Sequence, residues 1–306
     1  MLLKQFPDIN WVRQLKSDAA RGTGNAWNNV VLNFECREAS RLNLDSPFSL
    51  FLNNKGHSYC KVNKDNYRVA TDTFLLAQPG DMYGLTIDNI SKTELSNIHI
   101  NRQFFYDVAH SLTGTHEQLL DNPVNHIEFP FPLFSQMYQR NPQFDKIAAR
   151  LTADTPFDQA AFELALADLI GYLLSLNEGL KQKISELPFA KAAVRQDIYK
   201  RLALAKDYIH SNHTEPLSLE TICRETGMSK FHFLRVFKLF YGITPYQYLT
   251  KVRMEKAVGL LKTTKVSIGD ISAGLGFEYP NSFIKAFTKT YGAAPLQYRR
   301  ALSNFG

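Results

Sequence analysis

Arg235 and Lys238 lie three residues apart in the run Lys230-Phe231-His232-Phe233-Leu234-Arg235-Val236-Phe237-Lys238-Leu239-Phe240. On a helix, Phe233, Val236, Phe237 and Phe240 share one face, which leaves Lys230, Phe231, Leu234, Arg235 and Lys238 outward. That outward set suits a polyanion with readable edges. A guanidinium can donate two parallel bonds to the major-groove edge of guanine, and an apolar side chain can press on a thymine methyl. Ammonium groups neutralise phosphates, which positions a protein without specifying sequence. Fifty residues on, Asn281, Ser282, Lys285 and Lys289 are left outward by the stripe Phe283, Ala286 and Phe287. The base-facing candidates are therefore Phe231, Leu234, Arg235, Asn281, Ser282 and Lys285, with Arg235 first among them. Ser229, Lys230, Lys238, Thr264, Lys265 and Lys289 are the phosphate candidates. A helical domain with aromatic stripes is, on shape alone, as often a plain packing unit as a DNA reader.

The elements that carry these residues occur twice. Phe237, Tyr241, Gly242, Pro245, Gln247 and Tyr248 recur as Phe287, Tyr291, Gly292, Pro295, Gln297 and Tyr298, and Phe233 recurs as Phe283. Further upstream, Ile222 and Gly227 recur as Ile271 and Gly276, one residue closer. A duplication of this kind means two similar supersecondary units in tandem. In the first, Ser218 is the expected N-cap of a short helix that ends at Gly227. Ser229 is the expected cap of the next. In the second, Ser267 is the cap, Gly276 the turn, and Pro280 an early helical residue. Helix, glycine turn, helix is the helix-turn-helix pattern, over about 218–241 and again over about 267–291. A helix from Pro245 to Thr263 joins them, with Tyr248, Leu249, Val252, Ala257, Leu260 and Leu261 packing on both. Two such units on one linker could enter successive major grooves, roughly 34 Å apart.

These residues resemble the DNA-binding domain of the AraC/XylS family of bacterial transcription regulators. The signature is Ile268, Ile271, Gly276, Phe277, Phe283, Phe287, Gly292, Pro295, Tyr298 and Arg299. In the first unit it is Gly227, Ser229, Phe237, Lys238, Gly242, Pro245, Tyr248, Arg253 and Ala257. The likeness covers residues 201–300. Cys223 and Ser272 stand where the family usually has Ala, and Lys285 where its second reading helix often has Arg. A lysine lacks the planar fork that matches guanine, so base reading there is expected to be looser. The resemblance implies double-stranded DNA as partner and allows RNA polymerase as a second one.

Charge agrees with this division. Residues 197–306 hold sixteen Lys and Arg against eight Asp and Glu, net +8, while the whole chain is +6. A basic C-terminal part beside a slightly acidic remainder fits a polyanion-binding module joined to something else. Cys36, Cys60 and Cys223 match no ligand spacing and read as ordinary thiols in a reducing compartment. The N-terminal residues 1–8 lack the long apolar run of a signal peptide. The apolar segment Phe162–Leu176 contains Glu163 and Asp168 and is too short to span a bilayer. A cytoplasmic protein with no membrane partner is expected.

Residues from about 28 to 132 read as short strands and turns, the pattern of a small barrel or sandwich. Leu76-Ala77-Gln78-Pro79-Gly80-Asp81-Met82-Tyr83 resembles the second motif of the cupin barrels, which AraC-type regulators often carry as sensors. The metal-binding cupins need a His-x-His pair and a later His. Here His57 is alone, Met82 and Tyr83 occupy the later position, and His99, His110, His116 and His126 are scattered. No P-loop, dinucleotide loop or nucleophile elbow is present. No metal, cofactor or catalytic residue is expected, and the chain is read as a non-enzyme. Phe34, Phe51, Tyr59, Tyr67, Phe74 and Tyr83 are the candidates to line an effector pocket, or else they simply fill a core.

After Pro130-Phe131-Pro132 the pattern turns helical, over Pro142–Ala153 and Pro156–Leu180. Asp154 and Thr155 are cap candidates for the second of these. Its stripe of Phe157, Ala161, Leu164, Leu166, Leu169, Leu173, Leu176 and Leu180 suits either packing on the barrel or, as the resemblance implies, a homodimer contact through 156–180. The expected organisation is α+β in two domains. A cupin-like β-barrel sensor with flanking helices spans 1–140, a helical dimerisation segment 141–185, a linker 186–197, and an all-α DNA-binding domain 198–306. Function is read as a sequence-specific DNA-binding regulator modulated by an effector in the barrel. The alternatives are an effector-independent regulator whose barrel only dimerises, and a barrel enzyme with a DNA-binding tail.

Overall fold

The computed structural model describes residues 2–3, 29–45, 47–114, 135–153 and 158–303. The expected positions Phe157, Asp154, Thr155, Pro156, Pro130–Pro132, His116 and His126 lie outside them. The chain divides into two compact units, Met1–Glu186 and Leu187–Gly306.

The first unit is built on one sheet. Its strands are β1 (Leu2–Leu3), β2 (Val30–Asp45), β3 (Phe48–Lys55), β4 (Ser58–Val62), β5 (Asp65–Val69), β6 (Thr73–Ala77), β7 (Met82–Ile100) and β8 (Gln136–Gln139). They run in the order β1-β2-β7-β3-β6-β8, and β4 joins β7 to β5. All pairs but β1 with β2 are antiparallel. β7 holds the sheet together: β2 lies along one edge, while the other edge takes β4 near Leu85 and β3 near Ile98. The sheet curls into a near-closed barrel, as expected from the strand spacing.

Alternation along each strand gives the barrel two buried faces. Phe51 of β3, Leu75 of β6, Leu95 of β7 and Met137 of β8 turn inward with Phe34, Tyr67 and Tyr83. Phe48, Leu50, Leu52, Phe74, Leu76, Ile98 and Ile100 turn outward onto helices. Because both faces of β3 are covered, Phe48–Leu52 is buried without a break, and its one polar residue, Ser49, is buried with the rest. The covering helices are α1 (Arg102–Thr113), α2 (Pro142–Thr152) and α3 (Gln159–Ser185). Asn101 caps α1 by accepting from Phe104 N, Asn141 caps α2 from Phe144 N, and Asp158 caps α3 from Ala160 N. Rings make the contact: Phe48 stacks on Phe105 at 3.9 Å and Phe74 on Phe144 at 4.1 Å.

Several expectations change here. Phe74 does not line the barrel, because its register on β6 points it to the helices. Tyr59 is exposed, its ring edge-on to His57 at 5.3 Å. Residues 102–113 form a helix where only strands and turns were expected. The aromatic Phe104, Phe105 and Tyr106 suit either element, and the signal overlooked was the Asn101 cap. The expected dimer stripe on α3 is divided. Leu166, Leu169 and Leu173 are buried within their own unit, whereas Ala161 and Leu164 are exposed. This helix has 27 residues and is long and apolar enough, by length and composition, to cross a membrane. Leu166, Leu169, Ile170 and Leu173 of this helix lie in the sheet's outer core.

The second unit is helical: α4 (Ala192–Ser211), α5 (Leu219–Thr226), α6 (Lys230–Tyr241), α7 (Pro245–Thr263), α8 (Ile268–Gly274), α9 (Pro280–Tyr291) and α10 (Pro295–Ser303). The helix α4 begins inside the expected linker, so that only residues 186–191 lie between α3 and α4. Ala192, Ala193 and Arg195 are good helix formers, and Arg195 Nη1 donates to Phe189 O at 2.6 Å, tying the connection to the helix.

Phe74→Ala should destabilise the first unit by roughly 3–5 kcal/mol, the usual cost of emptying a fully buried aromatic site. Urea unfolding followed by a barrel-specific probe measures it. A change below about 1 kcal/mol would mean that the stack on Phe144 does not hold the sheet to its helices.

Candidate nucleic-acid interface

The duplication seen in the sequence is repeated as a cage of rings. In the first unit Phe233 meets Phe237 at 5.3 Å, Phe237 meets Tyr241 at 4.6 Å, and Phe237 meets Tyr248 at 6.0 Å. In the second, Phe283 meets Phe287 at 5.8 Å, Phe287 meets Tyr291 at 4.7 Å, and Phe287 meets Tyr298 at 5.4 Å. Edge-to-face and tilted geometries at these separations are favourable beyond the area they bury. Each cage fixes the inner face of one helix, α6 or α9, against the helix that follows it.

Caps fix the ends. Gly242 and Gly292 close α6 and α9 in the left-handed region, with φ of 76° and 74°. Ser218 and Ser267 cap α5 and α8 by accepting from Thr221 N and Asp270 N, as expected. Ser229 precedes α6 but its hydroxyl makes no capping bond. Thr244 forms a full capping box with Gln247 at the start of α7.

The turns inside the two units are each held by an arginine from the preceding long helix. Arg201 of α4 donates from Nη1 to Thr226 O at 3.1 Å and Gly227 O at 2.9 Å. Arg253 of α7 is buried and donates from Nε to His213 O at 2.7 Å and from Nη2 to Glu215 O at 3.1 Å. Its guanidinium lies over the Phe277 ring, 5.1 Å from the centroid. Burial draws the Arg253 pKa below the usual arginine range, and the two carbonyls and the ring face offset that loss of water. Gly276 lies against this group. A Cβ there would sit 2.4 Å from Thr214 O and 2.7 Å from Arg253 Nη2.

With the inner faces fixed, the outer faces are determined. Phe231 is 88% exposed, and Arg235, Lys238 and Lys230 are exposed beside it, with Leu234 half-buried. On α9, Asn281, Ser282, Lys285 and Lys289 are exposed. Arg235 makes no hydrogen bond or ion pair among the described residues. Two phosphate candidates are engaged: Lys230 Nζ pairs with Glu220 Oε1 at 2.8 Å, and the Thr264 hydroxyl donates to Leu260 O at 2.7 Å. The Thr264 proton is thus committed to the end of α7 rather than free to meet an anion. Lys265 is exposed.

Sequence reasoning missed Tyr279, 60% exposed at the start of α9, and the structural part of Arg253. The signal for Arg253 was present. It lies four residues after Leu249 and four before Ala257, so an arginine falls on a stripe that is otherwise buried.

The sequence matches a family described as a helix-turn-helix domain over residues 222–301. It is 30% identical over 136 residues to the lactose operon transcription activator of Staphylococcus xylosus, covering 44% of this chain and 47% of that protein. It is 24% identical over 177 residues to the msm operon regulatory protein of Streptococcus mutans, covering 56% of this chain and 62% of that one. The chain therefore spans less than two thirds of either relative. Among solved structures, an AraC-type regulator from Chromobacterium violaceum is 28% identical, with a TM-score of 0.33, over 36% of this chain and 97% of that one. The C-terminal unit is a helix-turn-helix DNA-binding domain of the AraC/XylS type.

Arg253→Met and Gly276→Ala should both loosen the joint between the helix-turn-helix units. Expected is faster amide exchange across 213–215 and 276–283, with a loss of roughly 1–3 kcal/mol for Arg253→Met, which strands the buried His213 carbonyl. Wild-type exchange rates in both variants would show that the guanidinium does not set the turn.

Proposed function

We propose that the protein is a one-component transcription regulator that reads two major-groove segments with α6 and α9 and responds to a small molecule in the barrel. The supporting observation for DNA reading is the pair of caged helices whose inner faces are alike and whose outer faces carry Arg235, Lys238, Asn281, Lys285 and Lys289. The names of the relatives, an operon activator and an operon regulator, support a role in transcription. Arg235 is assigned to a guanine edge, Phe231 and Leu234 to apolar contact, and Asn281, Ser282 and Lys285 to the second segment. Ser229, Lys238, Lys265 and Lys289 are assigned to phosphates. Lys230 joins them by exchanging Glu220 for DNA. Thr264 is dropped as a phosphate donor. Dimerisation through α3 is retained only for its exposed edge, Ala161 and Leu164. Phe34, Phe51, Tyr67 and Tyr83 are the ring residues kept for an effector site. DNA as the partner implies the cytoplasm of a bacterial cell.

Selection from a random duplex pool should enrich two short blocks about one helical turn apart. Enrichment of a single block would reduce the proposal to one reading helix. Arg235→Ala should erase preference in one block while bulk binding persists; an unchanged consensus would remove Arg235 from base reading.

Lys238→Ala should weaken every sequence and reduce the salt slope by about one. Glu220→Gln should strengthen binding to all sequences, because Lys230 then meets phosphate without losing a partner. Equal affinities for wild type and Glu220→Gln would show that Lys230 does not touch DNA.

A further inference from the structure

Resting on the reading proposed for α6, we infer that Phe189, in the connection between α3 and α4, is a positioning residue for the first reading helix. Recognition of one DNA block is thereby coupled to the segment that leads from the barrel unit. The connection is not a solvated tether. Leu187 is 4% exposed and counts with the second unit. The Phe189 amide donates to Leu187 O at 2.7 Å, and Arg195 Nη1 of α4 donates to Phe189 O at 2.6 Å and to Ala190 O at 3.1 Å. A guanidinium that grips two successive carbonyls fixes the backbone from which the Phe189 side chain projects.

That side chain meets the reading helix. The Phe189 ring lies 6.1 Å from the His232 ring at an interplanar angle of 69°, an edge-on contact. His232 is half-buried in the first turn of α6, between exposed Phe231 and fully buried Phe233. It stands three residues before Arg235, and residues so spaced are neighbours on a helix surface. The side chain that Phe189 touches therefore lies next to the guanidinium assigned to a guanine edge.

The first turn of α6 is weakly held by its other contacts. The ring cage begins at Phe233 and grips the helix from there to Tyr241. Ser229 makes no capping bond. The pair of Lys230 with Glu220 is exposed on both sides, where solvent and salt weaken it. The second unit is built differently at this point. Pro280 opens α9 with its fixed φ. The counterpart of His232, fifty residues on, is Ser282, which is exposed and carries no ring. The strut thus belongs to the first reading helix, and its loss should be felt in one block and not in the other.

The test uses the full chain, wild type and with Phe189→Ala or Phe189→Tyr, in duplex selection and in backbone amide exchange without DNA. Phe189→Ala should lower affinity for the two-block duplex by about two- to tenfold, the worth of an aromatic pair. It should relax base preference in the first block and leave the second as in wild type. Exchange at Phe233 and Leu234 should quicken, with Phe283 and Ile284 unchanged. Phe189→Tyr keeps the ring and should retain wild-type preference. Adding His232→Ala to Phe189→Ala should quicken exchange little further; full additivity would show that Phe189 does not act through His232. Equal relaxation of both blocks, or a lowered melting midpoint with both preferences intact, would make Phe189 a structural residue only and overturn the inference. Wild-type preference and exchange in Phe189→Ala would overturn it as well. A wild-type chain that enriches no first block would instead remove the reading proposed for α6. Exchange at Phe233 and Leu234 then decides whether the strut holds the helix, as it does where a variant binds DNA too weakly for selection.

Discussion

The C-terminal unit depends on one buried guanidinium. Arg253 reaches from the joining helix to the carbonyls of His213 and Glu215, ahead of the first helix-turn-helix, and covers Phe277 in the turn of the second. A planar guanidinium can donate to two carbonyls in its own plane while its face stacks on a ring, a geometry that an ammonium lacks. Gly276 is the counterpart of this arrangement. Its φ of 74° and its close approach to Thr214 O exclude a side chain. The orientation of α9 follows from a turn that is held on both sides. Arg201 and Gly227 repeat the arrangement more openly in the first unit.

The N-terminal unit solves a different problem with the same economy. One long strand, β7, pairs with β2 along one edge and with β4 and β3 in succession along the other, so that a single chain segment shapes the barrel. Alternation sends one set of residues inward and the next onto α1, α2 and α3. The two cores are thereby separate in composition. The outer one is stacked rings and leucines with helices behind them. The inner one mixes rings and aliphatic residues with Asn97 and with the hydrogen-bonded pair His99 and Ser49.

Legibility in the sequence followed from how local each determinant was. The extent of α7, read as roughly Pro245 to Thr263, matches the structure, where Pro245 and the local Thr244–Gln247 capping box fix its start. The stripes of α6 and α9 were equally clear, since phenylalanines three and four residues apart share one face of a helix and bury together. By contrast, β7 was read only over Leu95–Ile100. Its first half is rich in polar residues, and pairing with β2 and β4, not propensity, makes it a strand. Phe74 and Tyr59 were assigned inward because strand phase was guessed, and a slip of one residue exchanges the faces. The leucines of α3 could not be divided between barrel and surface until the sheet beneath them was known.

The duplication of the C-terminal unit stops at its surface. Ring cage, glycine caps and turn arginines recur with nearly the same spacing, so the two helices are presented by equivalent scaffolds. What they present differs: Phe231 corresponds to Asn281, Arg235 to Lys285, and exposed Tyr279 to Ser229. On the proposed reading, a guanidinium fork in the first unit discriminates guanine by roughly 1–3 kcal/mol, while a lysine in the second acts as a point charge with less angular demand. Equivalent scaffolds then carry unequal shares of specificity. The first helix would set the sequence, and the second would fix spacing and register through its amide, hydroxyl and ammonium groups. Such an asymmetry needs a rigid joint, because a loosely held second helix could not report spacing at all. Arg253 and Gly276 supply that rigidity, which ties the buried guanidinium to the reading of DNA without its touching a base.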